Sequence, residues 1–241
     1  MTRKKIVFVI VEGPSDDEAL GFLLEKIFNR NKVYVHIMHG DITTEKNVTS
    51  GNILSKIGNL ISGYAKNNHL KKLHFQEIIH IVDMDGAYIP KDAVAEDTAA
   101  KNPIYTLTKI HTTNVSGMID RNERKREVLD RILSVKQVWG TPYQVYYMSC
   151  NLDHVLYDKL NLSDGEKEKY AHTFAKKYGN DIAAFEEFMA KSDFAVDGDY
   201  IQSWEFIRKE KHSLERHSNM CICIARARAE SSTGIEYKTA M

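Results

Sequence analysis

Cysteine is scarce in this chain of 241 residues, with thiols only at Cys150, Cys221 and Cys223. So few argue against an oxidising compartment and for a cytosolic protein with reduced thiols. Excess charge of either sign is missing too. Lys plus Arg number 33 and Asp plus Glu 33, so net charge makes no general case for nucleic acid, although a zero sum still allows local patches. Long hydrophobic runs are absent. The apolar stretch after Met1-Thr2-Arg3-Lys4-Lys5 ends at Glu12, too short for a signal-peptide core and far too short to span a bilayer, so no membrane partner is expected. No P-loop, G-x-S-x-G or G-x-G-x-x-G sequence occurs, which removes any local case for ATP, acyl-transfer or dinucleotide chemistry. Internal repeats and low-complexity tracts are also lacking.

What is present suits a globular protein. Hydrophobic residues make up 43% and charged residues 27%, the ordinary balance for a folded domain. The length fits one large domain, or an α/β domain with an appended lobe. Residues 5–11 are a Val- and Ile-rich run of the kind covered on both faces of a sheet. Gly13-Pro14 turns the chain, and Ser15 to Glu18 matches a capping box with Ser15 as N-cap. Leu20, Leu23, Leu24, Ile27 and Phe28 follow at helical spacing. Further strands are expected at Val33–Met38, Phe75–Val82 and Gln144–Ser149, with an amphipathic helix between Ile53 and Tyr64. Strands separated by helices of this length favour a parallel sheet of about four strands flanked by helices.

From Gly86 to about Met118 the periodicity fades and Pro90 and Pro103 appear, the signature of a long loop with at most short elements beside a strand end. Residues 119–137 read as a helix with Val128, Leu129, Ile132 and Val135 inward and Arg121, Arg124, Lys125 and Arg126 outward. Beyond residue 155 helices are expected at about 163–178, 180–191 and 199–218, with Met220–Ala227 ambiguous between helix and strand. The resulting division is a sheet domain over 1–155, a helical lobe over 156–232 and a polar tail over 233–241.

Acidic residues stand where buried strands should emerge. Glu12 closes the first run, and Asp83 and Asp85 close the run at Phe75–Val82. Open α/β sheets bind ligands at that edge. One Glu after a strand is common, Asp16 and Asp17 suit a helix first turn, and Asp-Gly favours turns. Convergence is harder to dismiss. If the first and third strands are neighbours, Glu12, Asp83 and Asp85 share one crevice, and an extended Asp-x-Asp projects both carboxylates to one side. Carboxylates gathered so closely raise one another's pKa unless a cation neutralises them. Oxygen-only ligation suits Mg²⁺ or Mn²⁺.

Glu12-Gly13-x-x-Asp16 after one strand and Asp83-x-Asp85 after a later one resemble the two motifs of the Toprim domain, shared by topoisomerases, bacterial primases, maturation ribonucleases and overcoming-lysogenization-defect nucleases. The order of elements is similar over residues 5–154. The resemblance implies a metal-dependent phosphoryl-transfer site, with Glu12 as general acid/base and Asp83 and Asp85 as Mg²⁺ ligands. Asp16 matches the family's second acidic position. The chain has no room for a topoisomerase's tyrosine domain or a primase's accessory modules. It is more similar to the standalone nucleases of phage defence, the RloB-like and abortive-infection types. In those, acids after the fourth strand join the site, and Asp153 stands in that place; it is equally a helix first-turn acid. The function so implied is Mg²⁺-dependent cleavage of DNA or RNA, with an ATPase partner and oligomer formation left open. The alternative is a non-catalytic partner subunit or a receiver-like regulatory module, although the Asp-x-Asp does not fit the receiver pattern.

Two further groups carry candidate chemistry. Arg121, Arg124, Lys125 and Arg126 form a basic cluster, favoured as a solvated helix face and otherwise a contact to a phosphate backbone. His212, His217, Cys221 and Cys223 follow no common zinc spacing, and buried apolar cysteines are the default there. His154 could be a satisfied structural histidine.

Overall fold

The computed structural model describes residues 4–28, 33–40 and 42–233; the expected tail lies outside them from residue 234 onward. Its centre is a sheet whose four long strands are parallel. These are β1 (Lys5–Val11), β2 (Val33–His39), β3 (Phe75–Asp83) and β8 (Thr141–Ser149), in the order β2-β1-β3-β8. Two short antiparallel strands, β7 (Gln137–Val138) and β9 (His217–Ser218), pair with the two ends of β8. The β7–β8 turn is Trp139-Gly140, both at positive φ, the conformation a two-residue hairpin requires.

Alternation along the strands divides the core between two faces. Val7, Val9, Val11, Ile79, Ile81, Tyr146 and Met148 point to one side. They pack under α1 (Pro14–Ile27), α4 (Leu152–Tyr157), α5 (Asp164–Tyr178), α6 (Ile182–Lys191) and α8 (Met220–Thr233). Ile6, Phe8, Ile10, Ile78, Val82, Tyr143, Val145 and Tyr147 point to the other, beneath α2 (Ile53–Asn67), α3 (Val115–Leu133) and α7 (Tyr200–Ile207). The protein is therefore α/β, a mostly parallel central sheet flanked by helices. Helices from the C-terminal third close both faces.

Several local expectations need correction. The first helix is capped two residues earlier than expected. Gly13 is the N-cap, Pro14 occupies the first turn, and the Asp16 carboxylate, not Glu18, accepts from the Gly13 N–H at 2.9 Å; Pro at that position costs the helix no hydrogen bond. From Gly86 to the start of α3 the chain is, as expected, a long connection with only short elements, but these pair with one another. It holds a second sheet of β4 (Val94–Glu96), β5 (Ile104–Tyr105) and β6 (Ile110–Thr112), in the order β4-β6-β5. The helix expected over 199–218 stops at Ile207. Turns follow, with Glu210 at φ 48, before β9 and then α8, which settles Met220–Ala227 as helix.

The basic face of α3 is the largest correction. Buried positions Met118, Asn122, Lys125, Leu129 and Ile132 recur at steps of three and four, one stripe of a helix. Lys125 lies inside that stripe, 1% exposed, not on the solvated face. Arg121 and Arg124 are half-buried and Arg126 is exposed.

Candidate active site

The strand order reverses direction about β1: the chain passes to β2 on one side, then to β3 on the other. The crevice at such a switch point is where open α/β sheets hold ligands. Glu12 leaves β1 there, and Asp83 ends β3. Asp153, in the first turn of α4, arrives from the end of β8, and Asp16 from the first turn of α1. Glu12, Asp16, Asp83, Asp85 and Asp153 all line one cavity of about 680 Å³. All five acidic candidates are thus brought to one place. Arg121 lines it too, as does Lys167 of α5.

Asp83 and Asp85 do not project alike. The strand ladder runs on past Asp83, with the Met84 N–H donating to the Met148 carbonyl at 3.0 Å and the Asp85 N–H to the Cys150 carbonyl at 2.7 Å. Asp85 then turns into the left-handed region at φ 47, and Gly86 follows at φ 72. An Asp tolerates that conformation better than most residues. The backbone is not extended at Asp85, so the same-side geometry expected for Asp-x-Asp does not apply.

The five acids fall into two groups. Asp85 is charge-compensated by the chain itself. Its Oδ2 accepts from Lys125 Nζ at 2.6 Å and from Arg121 Nη2 at 2.8 Å. Lys125 also stands 3.7 Å from Glu12 Oε1, which accepts from Thr43 Oγ1 at 2.9 Å. Burial alone would push the Asp85 pKa up, but Lys125 and Arg121 bring it down to about 2. Lys125 is correspondingly held above its ordinary value: burial works against its charge, and Asp85 and Glu12 outweigh burial.

Asp83, Asp16 and Asp153 are uncompensated by comparison. Burial, then Glu12, Asp16 and Asp85, push Asp83 well above the carboxylate range, even though its Oδ1 accepts from the Leu152 N–H at 3.0 Å. Asp16 is raised to about 6, by burial first and Asp153 next, against the bond from Gly13. Asp153 is raised by burial and partly relieved by Lys167, whose Nζ stands 3.7 Å from Oδ2. Asp153 Oδ1 is buried with no hydrogen-bond partner. A buried acceptor left unsatisfied costs about 1–3 kcal/mol and calls for an explanation.

Lys125, expected on the outward basic face, could have been placed inside from its spacing to Met118, Leu129 and Ile132. Other contributors are not among the residues expected at the site. Lys167 and Thr43 carry no sequence signal, because only the fold brings them to the acids. His80 was also missed. It is fully buried on β3, its Nδ1 2.7 Å from the Tyr143 hydroxyl and its Nε2 unpartnered. Burial, then Lys125, lowers its pKa to about 3, so it stands neutral. His154 is a structural histidine, its Nδ1 accepting from the Cys150 N–H at 3.4 Å. Cys150 and Cys223 are buried and Cys221 partly so, all three free thiols. His212 stacks on Phe206 with ring centroids 4.0 Å apart.

Among the described residues no three His, Cys, Asp or Glu side chains close on a common point that could hold an ion. This holds for the His212–Cys223 group and for the acids alike. Nor is any helix among them long and apolar enough to cross a membrane. Comparison with protein-family models, with curated proteins and with solved structures returns no match.

Proposed function

We propose that this protein is a Mg²⁺- or Mn²⁺-dependent phosphodiesterase of Toprim-like architecture that hydrolyses a DNA or RNA strand. The observation that carries the reading is the convergence of Glu12, Asp16, Asp83, Asp85 and Asp153 on one cavity at the switch point of the sheet. Structural packing gives no reason to bury so many carboxylates together, since each disfavours its neighbour's charge.

The donor set fits the ion in a particular way. Mg²⁺ keeps several waters and is usually held by one or two carboxylates with substrate phosphate, so no closed cage of protein ligands is needed. Asp83 and Asp153 are the candidates to hold it, the second with an oxygen already without a partner, and Asp16 feels the charge of Asp153 and acts on Asp83. Asp85, already paired with Lys125 and Arg121, fits the part of a fixed charge that positions those cations. When bound, the ion would polarise the phosphodiester and stabilise charge on its oxygens. Glu12, oriented by its Thr43 hydrogen bond and 3.7 Å from Lys125, takes the proton from an attacking water. The new P–O bond forms as the P–O bond to the leaving strand breaks, and the leaving oxygen takes its proton from solvent. Arg121, which lines the same cavity, would face the phosphate.

The resemblance to standalone nucleases extends the proposal to phage defence in the cytoplasm, with an ATPase partner and self-association as further expectations. The test is cleavage of labelled DNA and RNA by the full chain with Mg²⁺ or Mn²⁺. Glu12→Ala and Asp83→Ala should each lower the rate by about 10²-fold or more. Undiminished metal-dependent cleavage by both variants overturns the assignment.

One observation favours a second reading, a non-catalytic regulatory or partner module: the chain supplies its own counter-cation, Lys125, to Asp85 and Glu12. A metal-binding chain that cleaves no nucleic acid would support it.

A further inference from the structure

The cavity is shared between the sheet edge and a second segment, the roof. Beside the acids, its lining includes the segment from Ala99 to Tyr105 and Leu162. This roof is built, not draped. Its start is turned by the Ala99 N–H donating to Asp97 Oδ1 at 2.9 Å, and its end is strand β5, paired antiparallel with β6.

The roof is also fastened across the cavity. The Tyr105 N–H donates to Asn161 Oδ1 and Asn161 Nδ2 donates to the Tyr105 carbonyl, both at 2.8 Å. Asn161 belongs to the α4–α5 connection and sits at φ 59, a left-handed conformation that Asn tolerates. One side chain thereby joins the small sheet to the helices that carry Asp153 and Lys167. The two parts of the lining differ in chemistry: carboxylates with Arg121 and Lys167 come from the sheet edge and the helices beside it, while the roof mixes Lys101 and Asn102 with the apolar Pro103, Ile104 and Leu162. Ile104 is 40% exposed, although it is a β-former in a strand.

Deepening the phosphodiesterase reading on which it rests, we infer that the substrate is an unpaired strand, one nucleotide of which enters the roofed cavity with its base against Pro103, Ile104 and Leu162 and its phosphate toward Asp83 and Arg121. A volume of about 680 Å³ falls in the range of small-ligand sites, about 300–1,000 Å³, and so takes one nucleotide with its water. A duplex is a stiff rod with its bases stacked inside. Its phosphates cannot enter beneath the roof without the attached sugar and base, and extracting a base costs a few kcal/mol. Unpaired bases avoid that cost and present a face for apolar contact whatever their sequence.

The test separates binding from chemistry. Fluorescence anisotropy with the full chain and Ca²⁺ is read on one labelled 12-nucleotide sequence, offered as single-stranded DNA, as single-stranded RNA and as a blunt duplex, while cleavage of the same probes is followed in Mg²⁺. The single strands should bind at least about tenfold tighter than the duplex, with the DNA and RNA arms showing which sugar is preferred. Ile104→Ser, at an exposed position, should weaken single-strand binding at least about threefold with an unchanged melting temperature. Asn161→Ala, which frees the roof, should narrow the gap between strand and duplex. Equal or tighter binding of the duplex overturns the inference, as does binding of neither form. Preferential binding of a single strand that is never cleaved upholds the inference and overturns the phosphodiesterase reading.

Discussion

Lys125 decides much of the site's electrostatics. It is a buried cation with Asp85 at 2.6 Å and Glu12 at 3.7 Å, in a position where an unpaired charge would be untenable. Removing Lys125 leaves Asp85 with Arg121 as its remaining cation, and breaking a buried pair costs about 3–5 kcal/mol. Lys125→Ala should therefore lower the denaturation midpoint sharply, and the double variant Lys125→Met with Asp85→Asn should recover most of the loss. Denaturant melts of the two variants read this directly; a double variant as unstable as the single would contradict it.

Asp16 carries a pH signature of its own. Its pKa in the fold is raised from 3.8 to about 6, so between those values the native state holds more proton than the unfolded chain. Stability from this group is then complete below about pH 4 and lost as pH rises through 6. The loss is of order 2–3 kcal/mol for a shift of this size. Asp83, raised for the same reason, adds a contribution of the same sign. Asp16→Asn keeps an oxygen to accept from the Gly13 N–H but has no proton to lose. Its melting temperature should exceed that of the wild type by several degrees at pH 7 and match it near pH 4, without added metal. Parallel pH curves would show that Asp16 does not titrate as stated.

At the scale of elements, the turn after β3 aims Asp85. Gly86 sits at φ 72, and a Cβ there would lie 2.9 Å from both Ile110 Cδ1 and Leu214 Cδ2. Gly86→Ala adds backbone strain to a collision with two buried side chains. Overpacking alone costs about 1–3 kcal/mol, and the shift should carry Asp85 away from Arg121. We expect reduced stability together with a large fall in activity, checked by thermal melts and rate measurements on the same preparation.

The same scale shows what could be read in the sequence. The four parallel strands follow from runs of β-formers whose ends carry acids, and the two-sided burial of β1 from its uninterrupted apolar run. Glu12, Asp16, Asp83, Asp85 and Asp153 were likewise legible, because strand ends mark the edge of such a sheet. The small sheet over 94–112 was not. Its strands are two or three residues long, below the length at which alternation can be recognised. The break after Ile207 was hidden because the residues beyond it keep helical spacing while the fold makes turns. Lys125 was misplaced through its charge, since a lysine counts as solvent-facing until a buried partner is known. Lys167, Thr43 and Asn161 act only through tertiary contacts with residues far away in the chain.

For the whole molecule, a net charge of zero and few cations around the cavity imply modest electrostatic attraction to a strand. The slope of log affinity against log salt should be shallow, about −1 to −3, not the about −6 to −10 of proteins that make many phosphate contacts. Titration of single-strand binding between low and physiological salt measures it. A steep slope would locate the contact on an extended basic surface, not in the cavity.

The central claim is that the carboxylates at the sheet edge hold a divalent ion. Anomalous diffraction from a crystal soaked in Mn²⁺ tests it most directly. The account predicts one manganese peak in the cavity, within about 2.5 Å of carboxylate oxygens of Asp83 or Asp153, with the Lys125–Asp85 pair intact. A map with no peak among Glu12, Asp16, Asp83, Asp85 and Asp153 at saturating Mn²⁺ would contradict it.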